Sequence, residues 1–284
     1  MELTPNDVRK IVAEEDDFAH EMHVAATLRE FPAYSVSHGG TYTDSVTGKS
    51  RQYDFRASLS KEDAGVFLSI ECKNLRPSSP LVICGRPRLD NESFHDLIHS
   101  RVGTHRRGST TLVGLSSVTL RAKRENSYYP PDVFTGKSLL RLKADKQPIS
   151  STSDADVYDK WAQALSSSVE SIHTACWLAN KLGKADYYSA VLPLIVVPND
   201  VLWRCEYDLK GTMASEPELV DECAFFVGQE HRTGINADEV GFRHNFIVSH
   251  IHFCTVRGLW SLLSRLATND HAWEQLLTRH AFEV

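Results

Sequence analysis

The sequence lacks the long apolar runs of a membrane-spanning protein and the paired cysteines of a zinc module. Its longest apolar run, Ala190 to Val197, contains Pro193 and is far shorter than the roughly 20 residues that a membrane-spanning helix needs. No Cys-x-x-Cys pair occurs among the six cysteines, so we expect reduced thiols, a cytoplasmic protein and no zinc site. The first residues contain no basic and apolar leader, so we expect no secretory signal. The short apolar run leads us to expect no membrane partner.

The motifs of several common enzyme classes are also missing. There is no Gly-x-x-x-x-Gly-Lys-Ser/Thr loop, no Gly-x-Ser-x-Gly turn and no cluster of Cys and His. These absences argue against nucleotide-phosphate, serine-nucleophile and zinc-module chemistry. The 284 residues are 42% hydrophobic and 24% charged, which is typical of a globular chain long enough to bury a substantial core.

Basic side chains are concentrated in the middle of the chain. Residues 76–146 contain 13 Lys and Arg against 6 Asp and Glu, whereas the remainder contains 18 against 31. A basic segment in an otherwise acidic chain predicts one surface that meets phosphate groups. The alternative is a solvated loop region. Within this segment the candidate contacts to a nucleic-acid backbone are Arg86, Arg88, Arg106 and Arg107.

The most informative stretch is Val66 to Asn74. Five mostly apolar, β-branched or aromatic residues predict a buried strand, which then ends in Glu71 and Lys73. Residues two apart on a strand share a face, so the two charges project together while Cys72 points away. Asp54 lies in the preceding strand-like run, and a hairpin would bring it near Glu71. Such a set of charges could hold a divalent metal ion beside a phosphate.

Asp54 followed by Glu71-Cys72-Lys73 after an apolar run resembles the motif of the PD-(D/E)xK nuclease superfamily, the fold of many restriction endonucleases. Tyr53 stands where the motif often has proline. The resemblance implies an α/β fold with a restriction-endonuclease-like αβββαβ core. It covers residues 5–75 well and 155–200 more loosely. We therefore expect one nuclease-like domain over 1–284, with its core at about 5–75 and 155–207. A basic insertion at about 76–150 and a C-terminal α+β extension at about 208–284 complete it.

The resemblance also implies a set of site residues and a function. Asp54, Glu71 and the backbone carbonyl of Cys72 would hold Mg²⁺, with Mn²⁺ as a substitute, and Lys73 would stabilise the transition state. Glu21 on the first helix and Gln163 on the second strong helix are supporting candidates. The alternatives are a surface acid for Glu21, a helix-surface amide for Gln163, and a Glu71–Lys73 ion pair at a strand end.

The function implied is that of a metal-dependent endonuclease in restriction or phage defence, with DNA as the favoured substrate. The alternative is an inactive nuclease-fold subunit that binds nucleic acid or scaffolds a helicase or ATPase partner. A homodimer is a further partner arrangement to test.

Periodicity predicts the main elements. Helices are predicted over 6–30 and 155–182, because apolar residues recur at helical spacing in both segments. Strands are predicted over 51–59, 66–74 and 188–197, with 201–207 as the hairpin partner of the last. A strand over 245–253, a helix over 258–266 and a short helix around 273–277 are predicted to close the chain.

One rival metal site is visible in the sequence. His250 and His252 share a strand face, with His244 nearby, and His-x-His can bind zinc or iron. No acid at a recognisable spacing completes the set. A packed strand with hydrogen-bonded histidines is the interpretation that we favour.

Overall fold

The computed structural model describes residues 3–44, 47–107, 110–144, 148–234 and 243–277. The helices within these ranges are α1 (Pro5–Glu15), α2 (Phe18–Arg29), α3 (Ala155–Cys176), α4 (Leu178–Lys181), α5 (Val256–Thr268) and α6 (Asp270–Leu276). The strands are β1 (Ser35–His38), β2 (Thr41–Thr43), β3 (Ser50–Gln52), β4 (Phe55–Lys61), β5 (Ala64–Cys72), β6 (Leu81–Pro87), β7 (Phe94–Arg107), β8 (Thr110–Lys123), β9 (Phe134–Lys143), β10 (Ser150–Thr152), β11 (Asp186–Val197), β12 (Leu202–Glu206), β13 (Glu218–Leu219), β14 (Glu222–Gly234) and β15 (Arg243–Thr255). The α/β class predicted from the sequence is thus confirmed.

One large mixed sheet organises the described part of the chain. Its main path runs β1-β4-β5-β11-β15-β14-β9-β6-β12-β13, while β7, β8 and β10 pair at its sides and β2-β3 form a separate ribbon. The hairpin β4–β5 is antiparallel, whereas β11 is parallel to both β5 and β15. Parallel strands covered on both faces are usually apolar along their whole length. The burial of β5 and β11 follows this rule.

Helices cover both faces of this central part. Alternate residues of β5, including Leu68 and Ile70, share a core cluster with residues of α2, α5 and α6. On the opposite face Phe67 packs into a cluster that contains Leu165 and Ile172 of α3. Because successive side chains of a strand point to opposite faces of the sheet, alternate residues of β5 meet different helices. Odd-numbered residues of β5 face α3.

Both long helices predicted from the sequence are interrupted. The segment 6–30 divides at Asp16 and Asp17 into α1 and α2. The backbone N–H of Phe18 donates to Asp16 Oδ1, and that of Asn74 donates to Asp17 Oδ1. A local hydrogen bond at Asp16 and a tertiary one at Asp17 thus compete with the helical pattern. The segment 155–182 divides at Trp177 into α3 and the short α4.

The predicted pairing of residues 201–207 is wrong. β12 pairs with β6 in parallel and with β13, not with β11. The edge of β11 is taken instead by β15, which comes from the predicted C-terminal extension. A turn signal at 198–200 predicts a local hairpin, but the longer and more apolar β15 makes the long-range pairing with β11.

The middle segment is largely β-structure. β6 and β9 join the main sheet, and β7 and β8 form a long antiparallel hairpin that pairs with β11 through β7. Among the described helices, none has the length and apolar character needed to cross a bilayer.

Candidate active site

The β4–β5 hairpin brings Asp54 and Glu71 together. Phe55 pairs with Ile70 in the antiparallel register, so Asp54, one residue earlier, lies opposite Glu71. The backbone N–H of Cys72 donates to Asp54 Oδ2 at 2.7 Å. Asp54 is thus held at the end of the hairpin, on the sheet face that α3 covers.

Lys160 of α3 joins the two acids. Its Nζ lies 2.8 Å from Asp54 Oδ2 and 3.6 Å from Glu71 Oε2. Sequence patterns alone did not identify this residue. One signal points to it: Lys160 lies three residues after buried Val157 and four before buried Ala164, and a charge beside the buried stripe of a helix needs a partner.

Glu71 is the most unusual member of the site. Its side chain is 0% exposed, and within the described part of the chain neither carboxylate oxygen has a hydrogen-bond partner. Burial and the nearby Asp54 raise the pKa of Glu71 to about 9. Without a bound cation, Glu71 is therefore protonated at neutral pH.

Lys160 keeps its charge in the same environment. Burial acts to lower its pKa, but the negative charge and the hydrogen bond of Asp54 are the chief causes of a net upward shift. The resting site is accordingly a charged Asp54–Lys160 pair beside a neutral Glu71. Buried and perturbed carboxyl groups of this kind are concentrated at binding and catalytic sites.

Glu21 of α2 belongs to the same electrostatic environment. Burial and the charge of Asp54 raise its pKa, while a hydrogen bond from His38 lowers it. His38 Nε2 lies 3.5 Å from Glu21 Oε2. His38 in turn stacks on Phe55, with ring centroids 4.3 Å apart. The predicted acid on the first strong helix is thus near Asp54.

Lys73 has partners other than the two central acids. It follows the last residue of β5, and its Nζ lies 3.3 Å from Asp17 Oδ2 and 3.4 Å from Asp156 Oδ2. The simple Glu71–Lys73 ion pair considered from the sequence does not form among the described residues, because these two acids engage Lys73. Cys72, whose carbonyl is a predicted ligand, lies between Glu71 and Lys73 in the sequence and is buried.

Gln163 lies on α3, three residues after Lys160. Its backbone carbonyl accepts a hydrogen bond from the hydroxyl of Tyr42 at 3.3 Å. Burial and the charge of Glu71 raise the pKa of Tyr42 to about 12. Because Tyr42 lies on β2, its hydrogen bond to the Gln163 main chain ties the β2–β3 ribbon to α3.

The predicted backbone-contacting arginines have different environments. Arg88 is 2% exposed, and its guanidinium donates to His250 and to the Pro130 carbonyl. The prediction of a surface contact is therefore wrong for Arg88. Arg86 makes two hydrogen bonds to Glu92 at 3.1 and 2.7 Å, and Lys137 donates to the same carboxylate at 2.6 Å, so one acid is shared by two cations. The backbone of Arg106 and Arg107 belongs to β7, and their side chains lie outside the described residues.

His250 and His252 are packed in a hydrogen-bonded network. His250 Nε2 accepts from Arg88 Nε at 3.0 Å. His252 Nδ1 contacts Glu222 at 3.2 Å, and its Nε2 is 2.7 Å from the Tyr129 hydroxyl. Both rings thus use their nitrogens within the protein, as in the packed-strand interpretation. The side chain of His244 lies outside the described residues.

The Asp54–Glu71 pair has the chemistry of a hard-cation site. Carboxylate oxygens are the ligands that Mg²⁺ prefers, and the two oxygens of Glu71, unpartnered among the described residues, are suited to receive a cation. In the same part of the chain, no group of three or more His, Cys, Asp or Glu is arranged to hold a metal ion. An ion bound by these two acids would therefore need water or substrate oxygens as further ligands.

Comparisons with known proteins identified no relative. No family model, no curated protein and no solved structure matches the chain.

Proposed function

We propose that this chain is a metal-dependent nuclease that hydrolyses phosphodiester bonds, with DNA as the favoured substrate. The observation that carries the proposal is the fully buried carboxyl of Glu71, which has no hydrogen-bond partner in the described ranges and faces Asp54 beside the Lys160 ammonium. A fold seldom buries a carboxyl without hydrogen bonds unless a ligand completes it.

The order of elements supports the proposal. α2, β1, β4, β5, α3 and β11 follow one another in the order that an αβββαβ core implies, apart from the β2–β3 ribbon and the basic middle segment. Glu71 lies on β5 and Asp54 lies one residue before β4, which agrees with the second and third strands that the resemblance implies for the motif. Restriction or phage defence, and a helicase, ATPase or second copy as partner, stay predictions from the resemblance.

Each side chain has a definite task in this proposal. Asp54 and Glu71 would hold Mg²⁺ or Mn²⁺, which when bound activates water and neutralises developing negative charge. Lys160 would stabilise negative charge on the scissile phosphate. Glu21 would orient water with help from His38. Lys73, which bridges Asp17 and Asp156, would hold these two acids in place at the rim of the site.

Plasmid cleavage tests this proposal. With Mg²⁺ we expect wild type to nick or linearise plasmid DNA. Glu71→Gln should lower the rate roughly a thousandfold or more, which corresponds to about 4 kcal/mol of transition-state stabilisation. Asp159→Asn is the matched control, because this exposed acid precedes Lys160 on the same helix. Equal rates in wild type and Glu71→Gln would contradict the proposal.

A second candidate is a nuclease-fold subunit that binds nucleic acid without cutting it. It is favoured by one observation: Lys160 already neutralises Asp54 while Glu71 holds a proton, so the resting pair does not require a metal ion. Salt-dependent DNA binding without cleavage, in Mg²⁺ and in Mn²⁺, would support it.

The basic middle segment can be tested under either candidate function. Replacing Arg106 and Arg107 together should reduce the slope of log affinity against log salt by roughly 0.7–0.9 for each phosphate that these side chains neutralise in wild type. An unchanged slope and affinity at low salt would mean that the nucleic-acid surface lies elsewhere.

A further inference from the structure

We infer that Lys160 is an exchangeable counter-ion: its ammonium occupies the space between Asp54 and Glu71 in the resting site and leaves it for a substrate phosphate when a divalent ion binds. This inference rests on the proposed function. In this inference Lys160 has two roles. It neutralises the acids of the metal site before a metal ion binds, and it contacts the reacting phosphate afterwards.

The hydrogen bonding of Lys160 is incomplete for a largely buried ammonium. An ammonium has three donors, yet within the described residues Lys160 makes its hydrogen bond to Asp54 Oδ2, at 2.8 Å. Its contact with Glu71 is 3.6 Å long, beyond ordinary hydrogen-bond distance. The Lys160 ammonium and the Glu71 carboxyl thus lie side by side without a hydrogen bond between them. Within the described residues the ammonium is therefore held by its bond to Asp54, and this is the bond that a divalent ion at Asp54 would replace.

The site offers Lys160 a path outward. The lysine stem is long and flexible, the side chain is 16% exposed, and the residue lies in the second turn of α3. The acids at the rim are already engaged. Asp156, one turn earlier, pairs with Arg141 and Lys73, and Asp17 pairs with Lys73. A displaced Lys160 ammonium would therefore seek an anion from outside the chain.

Lys73 provides the contrast that makes the assignment specific. Its ammonium lies between two carboxylates at 3.3 and 3.4 Å, neither of which is a proposed metal ligand. A divalent ion bound by Asp54 and Glu71 would compete with Lys160 for its partner and leave the partners of Lys73 unchanged. The two lysines should consequently differ in their effect on metal affinity.

Titration with Mn²⁺ in the absence of nucleic acid tests the inference. Calorimetry or the decrease of the free Mn²⁺ paramagnetic resonance signal gives the affinity. Lys160→Met should bind Mn²⁺ about tenfold more tightly than wild type, because the competing cation is gone. At saturating Mn²⁺ the same variant should cleave DNA at least about a hundredfold more slowly. Tighter metal binding with slower cleavage is a combination that a merely structural lysine would not produce.

Two further variants complete the test. Lys160→Arg should weaken Mn²⁺ binding, because a guanidinium can bond a carboxylate with two donors, and it serves if Lys160→Met does not fold. Lys181→Met, at an exposed lysine of α4, is the control and should match wild type. Unchanged or weaker Mn²⁺ binding in Lys160→Met, in a wild type that binds Mn²⁺ and cleaves, would overturn this inference alone. A wild type that neither binds Mn²⁺ nor cleaves would overturn the proposed function as well.

Discussion

The sheet carries two clusters of charged side chains that share its buried surface but differ in how fully their polar atoms are paired. At the ends of β4 and β5, Glu71 has no hydrogen-bond partner among the described residues, and Lys160 reaches it only at 3.6 Å. On β14 and β15, Glu222 contacts His252 and makes two hydrogen bonds with Arg265 at 2.9 and 2.8 Å. The first cluster is incomplete and the second is complete.

The second cluster extends into the middle segment of the chain. Arg88 donates to His250, while the Tyr129 ring stacks on His250 with centroids 3.8 Å apart. Burial acts to raise the pKa of Glu222, but His252 and Arg265 outweigh it and lower the pKa to about 2. The two acids therefore have pKa values shifted in opposite directions.

This difference separates a structural network from a binding site. A network in which every member is bonded fixes the packing of the strands that carry it. A buried carboxyl that lacks a hydrogen-bond partner costs stability until a bound cation compensates for it. We therefore assign ligand binding to Asp54 and Glu71, and a stabilising role to Glu222 and its partners.

The largest expected effect on stability comes from breaking the complete cluster. Glu222→Gln removes the charge that Arg265 and His252 share, so we expect the free energy of unfolding to fall by about 3 kcal/mol. This is the low end for a buried pair, because the Glu222 side chain is 24% exposed. Chemical denaturation measures the change. DNA cleavage by the folded fraction should be retained, and a loss of cleavage with intact stability would contradict the separation of the two clusters.

The pH dependence of stability should distinguish the two acids. The folded-state pKa of Glu71 is raised, so between about pH 4.5 and pH 9 the folded protein holds a proton that the unfolded chain has released. Stability then falls as pH rises, by up to about 1.4 kcal/mol per pH unit, or about 2.7 kcal/mol between pH 6 and pH 8.

Denaturation with a chelator present, over this pH range, measures the effect. Glu71→Gln should remove this fall relative to wild type. For Glu222, whose pKa is lowered, stability should instead decrease as pH falls from about 4.5 toward 2. A wild type and a Glu71→Gln variant with parallel pH profiles between about pH 6 and 8 would show that Glu71 is ionised in the folded state.

The smallest expected effect is that of one hydroxyl in the complete cluster. Tyr129→Phe leaves His252 Nε2 without the hydrogen bond that the Tyr129 hydroxyl makes at 2.7 Å, which should cost about 1–2 kcal/mol. Tyr158→Phe is the control, because Tyr158 is 44% exposed and its hydroxyl can bond water. Thermal or chemical denaturation gives both values. Equal stabilities for the two variants would mean that the His252 bond adds nothing measurable.

Local patterns predicted the elements that surround the site. The apolar run before Glu71 indicated β5, the spacing to Asp54 indicated a hairpin, and Tyr188 to Val197 indicated β11. These features depend on residues close in sequence, where strand alternation and turn chemistry decide the outcome. The placement of Asp54 opposite Glu71 follows from that hairpin.

Long-range pairing could not be predicted in the same way. Lys160 lies 106 residues after Asp54, and the packing of α3 on the sheet brings the two together. Arg88 was expected at the surface because its segment is basic, yet the acceptor that buries it, His250, is 162 residues away. The turn at 198–200 predicts that residues 201–207 pair with β11, whereas β15 takes that edge from a distant part of the chain.

Anomalous scattering from crystals soaked in Mn²⁺ is the decisive test of the difference between the two clusters. We expect a Mn²⁺ peak between the carboxyl groups of Asp54 and Glu71, with Lys160 withdrawn from Asp54, and no peak at His250 or His252. Soaked crystals of Glu71→Gln should lack the peak. A Mn²⁺ peak at the histidines, or no peak between Asp54 and Glu71 in crystals soaked to saturation, would contradict the assignment of ligand binding to Asp54 and Glu71.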